Sequence, residues 1–242
     1  MKKLLLLISL VLIGCSSLEL GDALSSEQYT QRILDLGLSH DENLKEASKL
    51  KTPHLVSVVS LQLTNARDEK IQNESDFAES VKLAKLVKIS NNNLSFIGSE
   101  ISESIKTGVL AEDFDKHSYF LEGYKDSSNS IIQHKLHVSI FHNSKNKRDY
   151  FSANACDQWG RCEDAKEDGT NNKLKLKALT SNASNCTSYR CDYAEVIEIE
   201  LSDVFLKNSL KKGLTIRLFS KKKNHKILIS KAYLLGYLSI AQ

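Results

Sequence analysis

From Ile132 to Ile140 the side chains fall into two alternating sets. Ile132, His134, Leu136, Val138 and Ile140 make one; Gln133, Lys135, His137 and Ser139 make the other. Successive side chains of a strand point to opposite faces, so this is a strand with one face buried. The pattern returns in Glu195–Leu201, where Ile197, Ile199 and Leu201 alternate with Glu198 and Glu200. These two stretches commit the second half of the chain to an antiparallel sheet with one face covered.

The surrounding sequence supplies further strands. Tyr119–Tyr124, Asp149–Ala155, Leu174–Leu179, Leu214–Phe219 and Lys226–Ser230 are apolar or β-branched runs bounded by turn residues. Ser202 caps a short helix carrying Phe205, Leu206 and Leu210, with Leu201 and Leu206 at the staple positions around the cap and Gly213 at its end. Tyr233–Ile240 is apolar and reads as a strand end or a last helix.

The first half is more helical. Ser25-x-x-Gln28 and Ser39-x-x-Glu42 are capping-box patterns, and they open two short helices within 26–51, with Gly37 ending the first and Pro53 closing the second. Leu55–Thr64 is dense in β-branched residues, which predicts a buried strand, and the polar stretch 65–75 predicts a loop. Ser75 then caps a helix with Phe77, Val81 and Ala84 on one side; it runs into Leu86–Ile89, which reads equally as strand. Leu94–Ile97 is a short strand, and the spacing of Ile101 and Ile105 suggests helical turns before Gly108. The expected fold is α+β and β-rich. It is an antiparallel sheet or sandwich with a few short helices, disulfide-stapled in the C-terminal half.

The chain begins with Lys2 and Lys3, then the apolar run Leu4–Ile13. Charge followed by a short apolar run fits a secretory signal, and about ten apolar residues are too few to span a bilayer. Leu12-Ile13-Gly14-Cys15 resembles the bacterial lipobox. The resemblance covers only the leader. It implies that the sulfur of Cys15 takes a diacylglyceryl group, that cleavage follows Gly14, and that the new amino group is acylated. Ser16 stands where an aspartate often retains lipoproteins in the inner membrane, which implies the outer membrane, facing the periplasm. Several acyl chains anchor far better than one. The expected organisation is a signal peptide at 1–14, acylated Cys15 with a tether at 15–24, and a single globular domain at 25–242, with a subdivision conceivable near 126–131.

Cys156, Cys162, Cys186 and Cys191 lie within one 36-residue window. An even number of cysteines in an exported chain reads as two disulfides. Local pairing, which closes two short loops, is favoured over the two alternatives that would staple the loops together. The spacing lacks the C-x-x-C that zinc knuckles and thiol–disulfide oxidoreductases use.

Charge divides the chain. Residues 16–130 carry 12 basic and 19 acidic side chains; residues 131–242 carry 19 and 11. The strongest run, Lys221, Lys222, Lys223 and Lys226 with Lys211 and Lys212 nearby, suits an acidic envelope protein or anionic lipid. It equally suits a solvated hairpin tip whose lysines block edge pairing. The expected compartment argues against nucleic acid. Trp159, the one tryptophan, sits between Cys156 and Cys162 and is either a partner contact or a plug over the core.

Catalytic and metal patterns are weak. Asp164–Gly169 places glycine as an EF-hand would, but Lys166 and Lys175 occupy ligand positions; a looser calcium site would use Asp157, Glu163, Asp164 and Asp168. His134 and His142 share a strand face from which His137 points away, so three ligands do not converge. Ser144-x-x-Lys147, Ser209-x-x-Lys212 and Ser220-x-x-Lys223 match S-x-x-K, and Lys106-Thr107-Gly108 matches K-T-G, but in reversed order. No catalytic residue, metal or cofactor is assigned. The reading is a membrane-anchored envelope lipoprotein, a non-enzymatic binding or assembly factor. The alternative is a lipid- or glycan-binding periplasmic module using an apolar cavity between sheet and helices, and a hydrolase of envelope polymers comes third.

Overall fold

The computed structural model describes residues 24–90, 94–106, 114–125, 132–156, 162 and 173–241. The leader with Cys15, the loop holding Trp159, the acidic stretch 163–170 and Thr107-Gly108 lie outside them. Two compact units divide the chain at residues 72 and 73.

The first unit is helical. Helices α1 (Ser26–Leu34) and α2 (His40–Ser48) each open with a complete capping box, at Ser25/Gln28 and Ser39/Glu42. Gly37 turns the chain between them at φ 65°, a conformation that glycine adopts without a Cβ penalty. Tyr29, Ile33, Ala47, Val59 and Leu63 form the buried cluster. The Thr30 hydroxyl donates to Gln62 Oε1 at 2.6 Å.

Val59 and Leu63 belong to α3 (Pro53–Ala84), one helix of 32 residues. This corrects the strand expected at Leu55–Thr64 and the loop expected at 65–75. Thr52 Oγ1 accepts from the Leu55 amide, so Pro53 sits inside the first turn and opens this helix. Leu55, Val59 and Leu63 recur every four residues, and that helical face outweighs β-branched content. The polar stretch stays helical because its Ala, Arg, Glu, Lys and Gln are good helix formers. Among the described residues, no helix is long and apolar enough to cross a membrane.

The second unit is a curled antiparallel sheet of ten strands. They are β1 (Lys88–Ser90), β2 (Ser95–Ile97), β3 (Ile101–Lys106), β4 (Phe114–Lys125), β5 (Ile132–Ser144), β6 (Ser152–Cys156), β7 (Lys173–Ser184), β8 (Cys191–Ser202), β9 (Leu214–Phe219) and β10 (His225–Ile229). The order is β1-β2-β4-β5-β8-β7-β6-β9-β10, with β3 also on β4. Strand β4 takes β2 beside Glu122–Tyr124 and β3 beside Phe114–Tyr119. Strand β7 pairs with β6 at Lys173-Leu174 and with β8 from Lys175 to Ser184. Ile101–Lys106 is therefore a strand and not helical turns. A spacing of four fits one face of a helix and one face of a strand alike, so it does not tell the two apart.

Helix α4 (Asp203–Asn208) starts at the Ser202 cap, and Gly213 follows it at φ 78°. Helix α5 (Lys231–Leu238) starts at the Ser230 cap. It lies against the inner face of the sheet. The Tyr233 hydroxyl accepts from the Leu121 amide at 3.0 Å and donates to the Ser99 carbonyl at 2.9 Å. Leu121, Leu136, Val138, Ile140, Ile197, Ile199, Ile216 and Leu218 are fully buried beside it. Each contributes about 1.5–3 kcal/mol of transfer free energy.

The disulfides pair locally, Cys156–Cys162 and Cys186–Cys191. The second closes the tip of the β7–β8 hairpin.

Candidate functional site

The curl of the sheet brings β10 over the first half of β4. The Tyr119 hydroxyl donates to the Leu228 carbonyl at 2.9 Å. Inward positions of β4 run Asp115, His117, Tyr119, Leu121 and Gly123, all buried. The interior is therefore polar at one end of this strand and apolar at the other. Antiparallel pairing places His142 of β5, Glu195 of β8 and His225 of β10 at the same polar end.

These groups are matched one by one. Arg148 Nη2 donates to Asp115 Oδ1 at 2.7 Å, and Arg148 Nη1 donates to the Tyr150 hydroxyl at 3.2 Å. Lys223 Nζ reaches Asp115 Oδ2 at 3.2 Å. Burial pushes the Asp115 carboxyl up, but Arg148 and Lys223 outweigh it and hold it below the usual range. Glu195 accepts from the backbone amides of Arg148 (2.8 Å) and Asp149 (3.2 Å) and lies 2.8 Å from His142 Nε2. Burial raises its carboxyl, yet the His142 bond and these amides leave it lowered.

His142 Nδ1 lies 3.0 Å from Ser144 Oγ, which gives Ser144, His142 and Glu195 the outline of a nucleophilic triad. The single hydroxyl hydrogen goes to the Asn146 carbonyl at 2.6 Å, the shorter contact. Glu195 is committed to two backbone amides. The arrangement anchors the turn after β5.

His117 and His225 form a buried pair, with His225 Nε2 3.0 Å from His117 Nδ1. Burial, then the neighbouring His117, pushes His225 down to about 4. Burial also lowers His117, against the pull of Glu103 and Asp115. Both rings are neutral near pH 7. One hydrogen serves the contact. The tautomer with His117 Nε2–H is preferred, because that nitrogen faces Glu103 Oε2 at 3.5 Å. At that distance it has no hydrogen-bond partner. Glu103 and His117 are directly opposed in the β3–β4 register.

Glu103 lines a cavity of about 380 Å³ within the second unit. Leu83, Ile101, Leu214 and Ile229 give it apolar walls, and Tyr119 and Tyr233 form its aromatic side. Glu79 and Lys212, both exposed, stand at its rim. Volume and lining fall within the range of small-molecule sites.

The positions singled out in the sequence lie elsewhere. Lys221, Lys222 and Lys226 are exposed on the β9–β10 hairpin, whereas Lys223 turns back to Asp115. His134 and His142 share the inner face, while His137 lies on the other, 2.8 Å from Glu122. His134 sits 3.0 Å from the Tyr237 hydroxyl and 3.4 Å from Asp203. Each histidine has its own partner. Among the described residues no cluster of three or more histidine, cysteine or acidic side chains is placed to hold a metal. Sequence reasoning missed Asp115, His117, Arg148, Glu195 and His225. The available signal was the alternation of Asp115 and His117 with exposed Lys116, ahead of Tyr119. Comparisons with known protein families, with curated proteins and with solved structures find no match for this chain.

Proposed function

We propose that this protein is a lipid-anchored, non-enzymatic binding protein of the bacterial envelope, and that it holds a small amphipathic ligand in the cavity beside Glu103. The leader supports the anchor: acylated Cys15 would tie the chain to the outer membrane, facing the periplasm. Two disulfides fit an oxidising compartment. The cavity carries the reading, since it joins apolar walls to one inward carboxylate that no cation matches among the described residues. Full-length protein, purified from envelopes and examined by native mass spectrometry, is expected to carry a non-covalent ligand that Leu214→Trp abolishes. A ligand-free wild-type protein would count against the reading. Loss of acyl labelling in Cys15→Ser tests the anchor separately.

A second reading, a protein-binding or assembly factor, has its own support. Beyond Leu176 the β7 side of the hairpin and its tip are exposed through Arg190, and Tyr189 at the tip is 78% exposed. The tip is closed by Cys186–Cys191, so little conformational freedom is lost on docking. In that reading Trp159 and the exposed lysines Lys221, Lys222 and Lys226 add contacts to an acidic protein or anionic lipid. In-cell crosslinking from position 189 that captures one dominant envelope protein would favour it over the cavity.

A further inference from the structure

We infer that the cavity beside Glu103 takes an organic ammonium group carried on a small apolar body. The inference rests on the reading of this cavity as a ligand site and names the ligand's chemistry.

The charges decide the sign. Among the described residues, three charged residues line the cavity: Glu79 and Lys212, both exposed, and Glu103, whose side chain is 39% exposed, so the lining carries two carboxylates to one ammonium. Arg148 and Lys223, at the polar end of β4, are both engaged by Asp115. Among the described residues no lysine or arginine forms an ion pair with Glu103.

The group behind Glu103 is a second, independent observation. His117 is 1% exposed, and its Nε2 has no hydrogen-bond partner. With Nδ1 occupied by His225, Nε2–H points at Glu103 on the cavity wall. A neutral imidazole N–H there adds no positive charge to set against the carboxylate. At 3.5 Å the contact is too long for a hydrogen bond, so the carboxylate is left to accept from a ligand.

The walls suit the rest of such a ligand. Tyr119 and Tyr233 lie edge to face with centroids 5.6 Å apart, and both line the cavity. Aromatic faces attract ammonium groups. Burial, and after it the negative charges of Glu103 and Glu79, push the Tyr119 hydroxyl up. Leu83, Ile101, Leu214 and Ile229 would cover an apolar body. An anion would meet two carboxylates, Glu79 and Glu103, against the one lysine that lines the cavity, Lys212.

The test compares three probes on the full chain in dodecyl maltoside: benzyltrimethylammonium, 3-phenylpropionate and benzyl alcohol, read by titration calorimetry. The cation is expected to bind at least tenfold more tightly than either of the others. Glu103→Gln is expected to remove that preference, and Glu79→Gln to weaken it less. Anion or alcohol binding as tight as the cation would overturn the inference and leave the cavity a ligand site. Failure of all three to bind would overturn both. The wild-type comparison decides the matter even if Glu103→Gln does not fold. Displacement of the bound cation by dihexanoyl phosphatidylethanolamine supports the inference with the ammonium on a lipid headgroup. Cation binding without that displacement supports it with a free amine or quaternary ammonium as ligand.

Discussion

His117 Nδ1 and His225 Nε2 lie 3.0 Å apart in the interior, 108 residues apart in sequence, and share one hydrogen. The pair stays neutral because burial opposes a second proton. An unfolded histidine binds that proton below about pH 6.5, whereas folded His225 waits until about 4. Between these values the unfolded chain binds more protons, so stability falls as pH drops through the window. The loss for His225 is about 3 kcal/mol, at 1.36 kcal/mol per pKa unit. Urea unfolding from pH 7 to pH 4 should show it, and His225→Gln should reduce it, leaving the smaller dependence due to His117. A second loss is expected in more acid solution. There Asp115 and Glu195, whose carboxyls are lowered by folding, finally take up protons.

Arg148 joins that polar end to the turn after β5. Its guanidinium and the carboxylate of Asp115 are each 6% exposed at 2.7 Å separation. Arg148→Ala would leave Asp115 buried with only Lys223 beside it. Removing one partner of a buried pair costs roughly 3–5 kcal/mol. Equilibrium unfolding should register a loss of that size, with Arg148→Lys less damaged. A change under about 1 kcal/mol would show that water replaces the guanidinium freely.

Two glycines should separate crowding from backbone strain. A Cβ on Gly236 of α5 would lie 2.7 Å from the Ser80 carbonyl and 3.0 Å from Leu83 Cβ. Gly236→Ala must push α5 off the end of α3, at a cost of about 1–3 kcal/mol. Gly37, at φ 65°, has nothing within 4 Å of its Cβ position. Gly37→Ala should cost only the left-handed penalty, about 1–2 kcal/mol, which Gly37→Asn largely avoids. Thermal unfolding of the three variants checks the contrast.

The Cys186–Cys191 bond closes a tip that contributes little to the core. Substituting both cysteines by serine should leave the main unfolding transition within a few degrees. Trypsin cleavage after Arg190 should rise several-fold, because exposed segments with few buried contacts open locally. Equal cleavage rates with and without the disulfide would mean that the turn geometry alone holds the tip.

The alternation in Ile132–Ile140 and Glu195–Leu201 identified β5 and β8 because their inward positions are apolar. Strand β4 was legible only from Tyr119 onward, since its inward positions before that are Asp115 and His117. A period-two reading looks for apolar side chains and finds none there. Leu55–Thr64 failed for a different reason. Its composition favours strand, and only the packing of Val59 and Leu63 against Tyr29 and Ile33 selects the helix. Lys223 was counted with an exposed basic run because its partner, Asp115, is distant in sequence.

What the sequence determined by itself is local. Ser25, Ser39 and Ser202 cap helices through amides three residues away. Gly37 and Gly213 accept positive φ, while the sequence only favoured the local cysteine pairing that the structure shows. Each depends on backbone and side chains within a few residues, so the pattern is written in the order of the chain. Tertiary structure decided the rest: a strand order that departs from chain order, the curl that lays β10 over β4, and the cavity. It also decided the meeting of Asp115, His117, Arg148, Glu195 and His225. Those outcomes rest on register and sheet curvature, which set distances between residues far apart in the chain. A buried charge there is tolerated only when its partner arrives from another strand.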